Sequence, residues 1–134
     1  MAPSARTILI VEDHAPTTAV LSRLVEARGF NVLTAASAAE ARAVAAEMRI
    51  GFVIADLGLT DGDGWELMTE LHQQLGVSGA AVSGFGLPAD MERSRAAGFI
   101  MHLVKPISIH QLDTLLAIAR RELDQSSPPF PRLH

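Results

Sequence analysis

Asp56 closes the apolar run Gly51-Phe52-Val53-Ile54-Ala55 and opens a glycine-rich turn, Leu57-Gly58-Leu59-Thr60-Asp61-Gly62-Asp63-Gly64. A short run with β-branched and aromatic residues reads as a buried strand, so the acid is presented at that strand's C-terminal end. Two further apolar runs also end in charge. Thr7 to Val11 leads into Glu12-Asp13, and Phe99 to Val104 leads into Lys105-Pro106. Three carboxylates and a lysine at the ends of three strands suit a divalent metal and phosphoryl transfer. Crowded carboxylates raise one another's pKa values unless a cation sits among them. Hard oxygens select Mg²⁺, which keeps several waters and needs only one or two carboxylates plus a phosphoryl oxygen. A carboxylate can also act as nucleophile and form a covalent intermediate.

Each residue has a plainer reading beside the chemical one. A strand-ending aspartate is most often a turn or cap residue. Glu12 and Asp13 suit the start of a helix, where acids favour the dipole. Lys105 reads as a surface lysine and Ser83 as a polar strand end. Their joint placement on one edge of a sheet is what favours the chemistry.

The elements that must position them alternate along the chain. After the first strand, Pro16 to Arg28 carries Val20, Leu21, Leu24 and Val25 at helical spacing and stops at Gly29. Phe30 to Ala35 reads as a second strand, and Ser37-Ala38-Ala39-Glu40 as a capping box opening a helix to about Met48. The third strand ends at Asp56, and a helix follows from Trp65 to Leu75. Ala80 to Ser83 reads as a short fourth strand. Pro88 suits the first turn of a helix ending before Gly98. Phe99 to Val104 is the fifth strand, and Ser108 with Gln111 caps a last helix reaching about Leu123. Five strand–helix units imply a parallel sheet with helices on both faces and right-handed crossovers. Ligands bind such sheets outside the carboxyl ends of the strands, the edge that carries both acidic clusters and Lys105.

At 134 residues the chain is one domain, and its 49% apolar content suits an ordinary core. No run approaches the roughly 18 apolar residues of a membrane span. The first six residues lack the apolar stretch of a signal peptide, and the absence of cysteine removes disulfide, thiolate-zinc and thiol chemistry. A cytoplasmic location is the expectation. The formal charge of −4, without a basic stripe, argues against nucleic-acid binding. The tail, Asp124 to His134, has three prolines and two serines and is expected to be disordered.

Glu12-Asp13, Asp56, Ser83 and Lys105-Pro106, in this order and at these spacings, resemble the response-regulator receiver domain over about Thr7 to Leu123. The resemblance implies a flavodoxin-like five-stranded parallel sheet of order 2-1-3-4-5. It implies Asp56 as the phosphoacceptor, taking a phosphoryl group from a histidine kinase or histidine phosphotransfer domain. By the same likeness Asp13 and Asp56 bind Mg²⁺ directly, Gly58 adds its backbone carbonyl, and Glu12 acts through water. Lys105, Ser83 and the Gly84 backbone would bind the phosphoryl group, with a cis Lys105-Pro106 bond aiming the ammonium inward. Ser83 and His102, at the aromatic switch position three before the lysine, would carry the conformational response. The downstream protein partner is not implied, and no nucleic acid or membrane is expected.

Departures are visible too. Thr60 stands where proline is usual, which implies a less rigid loop, and Ser83-Gly84 stands where Thr-Ala or Ser-Ala is more usual. The phrases around Ser83 and His102 are similar to receivers attached to hybrid sensor kinases. A competing reading, an Mg²⁺-dependent phosphatase with an aspartyl nucleophile, needs a second acid two residues after Asp56, where Gly58 stands. A phosphorylation-independent adaptor with the receiver fold is disfavoured by the retained acids, serine and lysine.

Three lookalikes fail on context. Gly84-x-Gly86-x-x-Ala89 follows the fourth strand and lacks the later acid of a dinucleotide fingerprint. Asp61, Asp63, Gly64 and Glu70 match part of a calcium loop, but Leu59 stands where its first ligand belongs. The five histidines are scattered. Trp65, Leu67, Met68 and Leu71 read as a helix face packed on the sheet, and Arg93 and Arg95 as flanks of a solvated face.

Overall fold

The computed structural model describes residues 6–126. The elements run β1 (Thr7–Val11), α1 (Ala15–Ala27), β2 (Asn31–Ala35), α2 (Ala38–Glu47), β3 (Phe52–Asp56), β4 (Gly58–Leu59), β5 (Gly62–Asp63), α3 (Gly64–Leu75), β6 (Ser78–Ser83), α4 (Pro88–Ala97), β7 (Phe99–Val104) and α5 (Ile109–Ser126). Five strands pair in parallel in the order β2-β1-β3-β6-β7. The two-residue β4 and β5 pair antiparallel outside that sheet. With this hairpin set aside, the order is the expected 2-1-3-4-5.

Every residue of β1 and β3 is buried, because helices cover both faces of a parallel sheet. Successive side chains point to opposite faces, and the core divides accordingly. Leu9, Val11, Val53 and Ala55 pack with Ala38, Ala41, Leu67, Met68 and Leu71 from α2 and α3. Ile8, Ile10, Phe52 and Ile54 pack with Val25 of α1 and Leu112, Leu115 and Leu116 of α5. Full burial of a Leu, Ile or Phe side chain stabilises by about 1.5–3 kcal/mol. This double layer therefore fixes the heights at which β1, β3 and β7 end.

The expected caps form. Ser37 Oγ accepts the Glu40 N–H at 3.0 Å, and Glu40 Oε1 accepts the Ala36 N–H at 2.7 Å. Ser108 and Gln111 cap α5 reciprocally, at 2.9 and 3.0 Å. Gly98 ends α4 at φ +113°, backbone that residues with a Cβ rarely adopt.

Some boundaries differ from the sequence reading. β6 begins at Ser78, two residues before Ala80. At Gly79, outside the strand as read from sequence, a Cβ would lie 2.5 Å from the Val53 carbonyl oxygen. Close approach of a neighbouring strand requires the glycine. At the other end of the chain, α5 continues to Ser126, so residues 124–126, assigned to the tail by composition, are helical. The rest of that tail and residues 1–5 of the N-terminal extension lie outside the described residues. Among the described residues no helix is long and apolar enough to cross a membrane.

Candidate functional site

The ends of β1, β3, β6 and β7 meet at one edge of the sheet. Asp56, 9% exposed, is the last residue of β3 and pairs in register with Val82 of β6. Its Oδ1 accepts the Gly58 N–H at 2.9 Å, and its Oδ2 accepts from Lys105 Nζ at 2.9 Å. The same ammonium reaches Glu12 Oε1 at 3.4 Å, and the other oxygen of Glu12 accepts the His14 N–H at 3.1 Å. Asp13 is exposed beside them. Carboxylate oxygens of Glu12, Asp13 and Asp56 lie within 4.8 Å of one another. Sequence reasoning singled out all four groups, and the structure brings them together.

Electrostatics follow from that crowding. Burial pushes the Glu12 carboxyl above its ordinary pKa. The His14 N–H opposes the shift, the negative charge of Asp56 adds to it, and Lys105 offsets part. For Lys105, burial works against the charged form. The hydrogen bond and charge of Asp56, joined by Glu12, outweigh it and hold the pKa above the ordinary lysine value. The ammonium thus occupies the place of a cation among acids. An all-oxygen donor set with one exposed member suits a hard divalent ion that keeps part of its water shell.

The Lys105-Pro106 peptide bond is cis. Lys105 N–H donates to the Ser83 carbonyl at 2.7 Å, which ties the end of β7 to that of β6. The Ser83 side chain is buried at 3% exposure. Gly84 is exposed, and a Cβ there would meet nothing within 4 Å, so the space accepts the alanine more usual at that position. Gly58 shows an amide directed at Asp56, which is a different contact from the metal-facing carbonyl inferred for it.

The loop after Asp56 is tied to the start of α2. Asp61 Oδ1 and Oδ2 accept the Ala38 and Ala39 N–H groups at 2.8 and 2.9 Å. Those two amides hold the Asp61 carboxyl below its ordinary pKa. Asp63 caps α3 through the Glu66 N–H at 2.7 Å, and Glu70 pairs with Arg42 at 2.8 Å. The acids that mimicked a calcium loop are therefore spent on two helix N-termini and an ion pair. Gly64 lets α3 start against the same loop: a Cβ there would lie 2.7 Å from the Asp56 carbonyl oxygen.

Residues 8–117 match the response regulator receiver domain. The chain belongs to that family. It is 32% identical over 124 residues to the KDP operon transcriptional regulatory protein KdpE of Escherichia coli K12, covering 92% of this chain and 55% of that protein. It is 31% identical over 127 residues to the photosynthetic apparatus regulatory protein RegA of Cereibacter sphaeroides, covering 94% of this chain and 67% of RegA. The chain thus spans about half the length of KdpE. Among solved structures, a CheY-like receiver from Methanospirillum hungatei superposes with a TM-score of 0.78 at 27% identity, over 90% of this chain and 94% of that one. Receivers of this family work in two-component signalling, opposite histidine kinases or phosphotransfer proteins.

In this receiver the side chain at position 102 makes more contacts than the sequence suggested. His102 Nε2 lies 2.8 Å from Ser83 Oγ, and its Nδ1 lies 2.8 Å from Ser94 Oγ on α4. Trp65 Nε1 donates to the same Ser94 oxygen at 2.9 Å. Arg93 stacks over the Trp65 ring, 4.1 Å from its centroid. Ser94 and the polar end of Trp65 were not legible as site residues. Trp65 does pack on the core as expected, and Ser94, at 2% exposure, is with Ala97 one of the two buried residues of α4. A serine in a helix has no signature until its neighbours are known.

Proposed function

We propose that this receiver takes a phosphoryl group from a histidine onto Asp56, in the cytoplasm, and thereby changes its affinity for a downstream protein. The observation that carries the reading is Lys105 Nζ and the acid cluster sharing one buried, strand-ending carboxylate. A carboxylate oxygen of Asp56 attacks phosphorus as the phosphorus–nitrogen bond of the phosphohistidine breaks. The bonding pair returns to the imidazole, and an acyl phosphate remains. Asp13, Asp56 and the Gly58 carbonyl would hold Mg²⁺, with Glu12 bound through water. Bound there, Mg²⁺ supplies positive charge to phosphoryl oxygens whose charge grows in the transition state. Lys105 contributes a compact cation from the opposite side, while Ser83 and the Gly84 N–H donate to the remaining oxygens.

An apolar cleft of about 680 Å³ opens beside Asp56 and Lys105, walled by Val20 and Leu21 of α1 and by Pro106 and Ile109. It offers a helix carrying the donor histidine a surface next to the acceptor. On the output side, a phosphoryl group adds charge and acceptor oxygens that draw Ser83 toward Asp56 and away from His102. The phosphatase reading lacks its acid, because position 58 is glycine.

The test is transfer of labelled phosphate from autophosphorylated histidine kinases. Acid-stable, alkali-labile label is expected on the wild type and none on Asp56→Asn. Undiminished label on that variant would refute the assignment.

A further inference from the structure

The side chain at the switch position is bonded at both ends. An indole N–H can only donate, so Ser94 Oγ accepts from Trp65. The Ser94 hydroxyl hydrogen is then free to donate to His102 Nδ1, 2.8 Å away. A neutral imidazole so bonded carries its proton on Nε2, which donates to Ser83 Oγ at 2.8 Å. The Ser83 hydroxyl in turn donates to the Phe85 carbonyl oxygen. This tautomer is assigned from the network, in which the bonds from Trp65 through Ser83 run one way, the Phe85 carbonyl at 3.3 Å being a second, longer acceptor for Nε2–H. A phenol at position 102 carries its one polar atom at the tip of the ring and offers no second polar atom on another side of it.

We propose that Ser94 and Trp65 are positioning residues for Ser83, and that the relay Trp65–Ser94–His102–Ser83 carries the state of Asp56 to the contact between α3 and α4. The proposal deepens the phosphoacceptor reading and rests on it. In the resting protein the relay turns the Ser83 hydroxyl toward Phe85. To donate to a phosphoryl oxygen the Ser83 hydroxyl must leave that carbonyl, and its oxygen, drawn toward Asp56, moves off His102. The Nε2–H then has the Phe85 carbonyl, 3.3 Å away, as its remaining acceptor. The ring follows that acceptor and pulls on Ser94 and so on the indole. Trp65 lies on a groove lined by Asp63, Glu66, Thr69 and Arg93, so the movement ends at the surface.

The relay holds the resting orientation, so cutting it favours the active one. With Mg²⁺ present, beryllofluoride serves as the acyl-phosphate mimic, and nitrogen-15 spectra follow the His102 ring and the Trp65 indole. In the wild type we expect an unprotonated Nδ1 at rest, with both residues shifting on saturation. Ser94→Ala is expected to lower the half-saturating beryllofluoride concentration about five-fold, the size of one buried hydrogen bond, and to abolish the Trp65 shift. Trp65→Phe keeps an aromatic ring and removes the N–H with part of the indole, leaving the Ser94 bond to His102, so it should move the affinity the same way by less. Saturation of the wild type with no change at Trp65 overturns the relay and leaves the phosphoacceptor intact. A resting His102 protonated on Nδ1 also overturns it. Failure of the wild type to bind beryllofluoride at all overturns both readings together.

Discussion

Lys105 Nζ stands 2.9 Å from Asp56 Oδ2, so the proposed phosphoacceptor and the cation proposed to bind its phosphoryl group are already in contact. The lysine therefore has two opposed effects. On the proposed function it would repel an incoming divalent cation and stabilise the charge that follows transfer. Replacing it separates them. Lys105→Ala should bind Mg²⁺ more tightly without phosphate, yet accept phosphate about 10²-fold more slowly, the usual cost of removing one transition-state donor. Titration calorimetry and single-turnover transfer measure the two. Equal loss of both would indicate that the site had collapsed.

Asp13 is the exposed member of the acid cluster. Removing it takes away a ligand and also relieves repulsion among like charges. Asp13→Ala should therefore lose Mg²⁺-dependent phosphotransfer while keeping its fold, with a stability change within about 0.5 kcal/mol without metal. Added Mg²⁺ should raise the wild-type melting temperature, because a ligand that binds only the native state stabilises it. The variant should not respond. A normal response in Asp13→Ala would remove that residue from the metal site.

The sheet and its charged edge were readable because their signals are local. Apolar runs such as Thr7 to Val11 and Phe52 to Ala55 end abruptly in acids, and caps such as Ser108 with Gln111 lie three residues apart. What escaped depends on partners distant in the chain. Gly79 reads as a breaker until Val53 is known to press on it. Asp61 reads as a turn residue until its carboxylate is seen on the Ala38 and Ala39 amides, 23 and 22 residues away. Ser94 gains meaning only when α4 lies against Trp65 and His102.

The Asp61 clamp has a pH signature. Its carboxyl is held below the ordinary value of 3.8 by the two amides at the start of α2. A depressed carboxylate contributes stability that is fully present above its unfolded-state pKa and lost as pH falls through the folded-state value. Asp61→Ala should thus melt below the wild type at neutral pH, and the gap should close under acid, beneath pH 3.8. Thermal unfolding of both proteins across that range decides it. A gap that persists unchanged in acid would assign the loss to packing rather than to the charged cap.

Gly64 lets α3 start close against the backbone of Asp56. Alanine is the better helix former by up to about 1 kcal/mol, so helix propensity alone favours Gly64→Ala. Sterics oppose it. The new Cβ would lie 2.7 Å from the Asp56 carbonyl oxygen and 2.9 Å from Leu57 Cα, and both are backbone atoms that cannot rotate away. Overpacking of this kind costs about 1–3 kcal/mol, which exceeds the helical gain. The variant should be less stable by about 1–2 kcal/mol in denaturant titrations. It should also take phosphate more slowly, because the backbone that must yield is that of Asp56 itself. An unchanged midpoint together with an unchanged transfer rate would show that α3 can slide to make room.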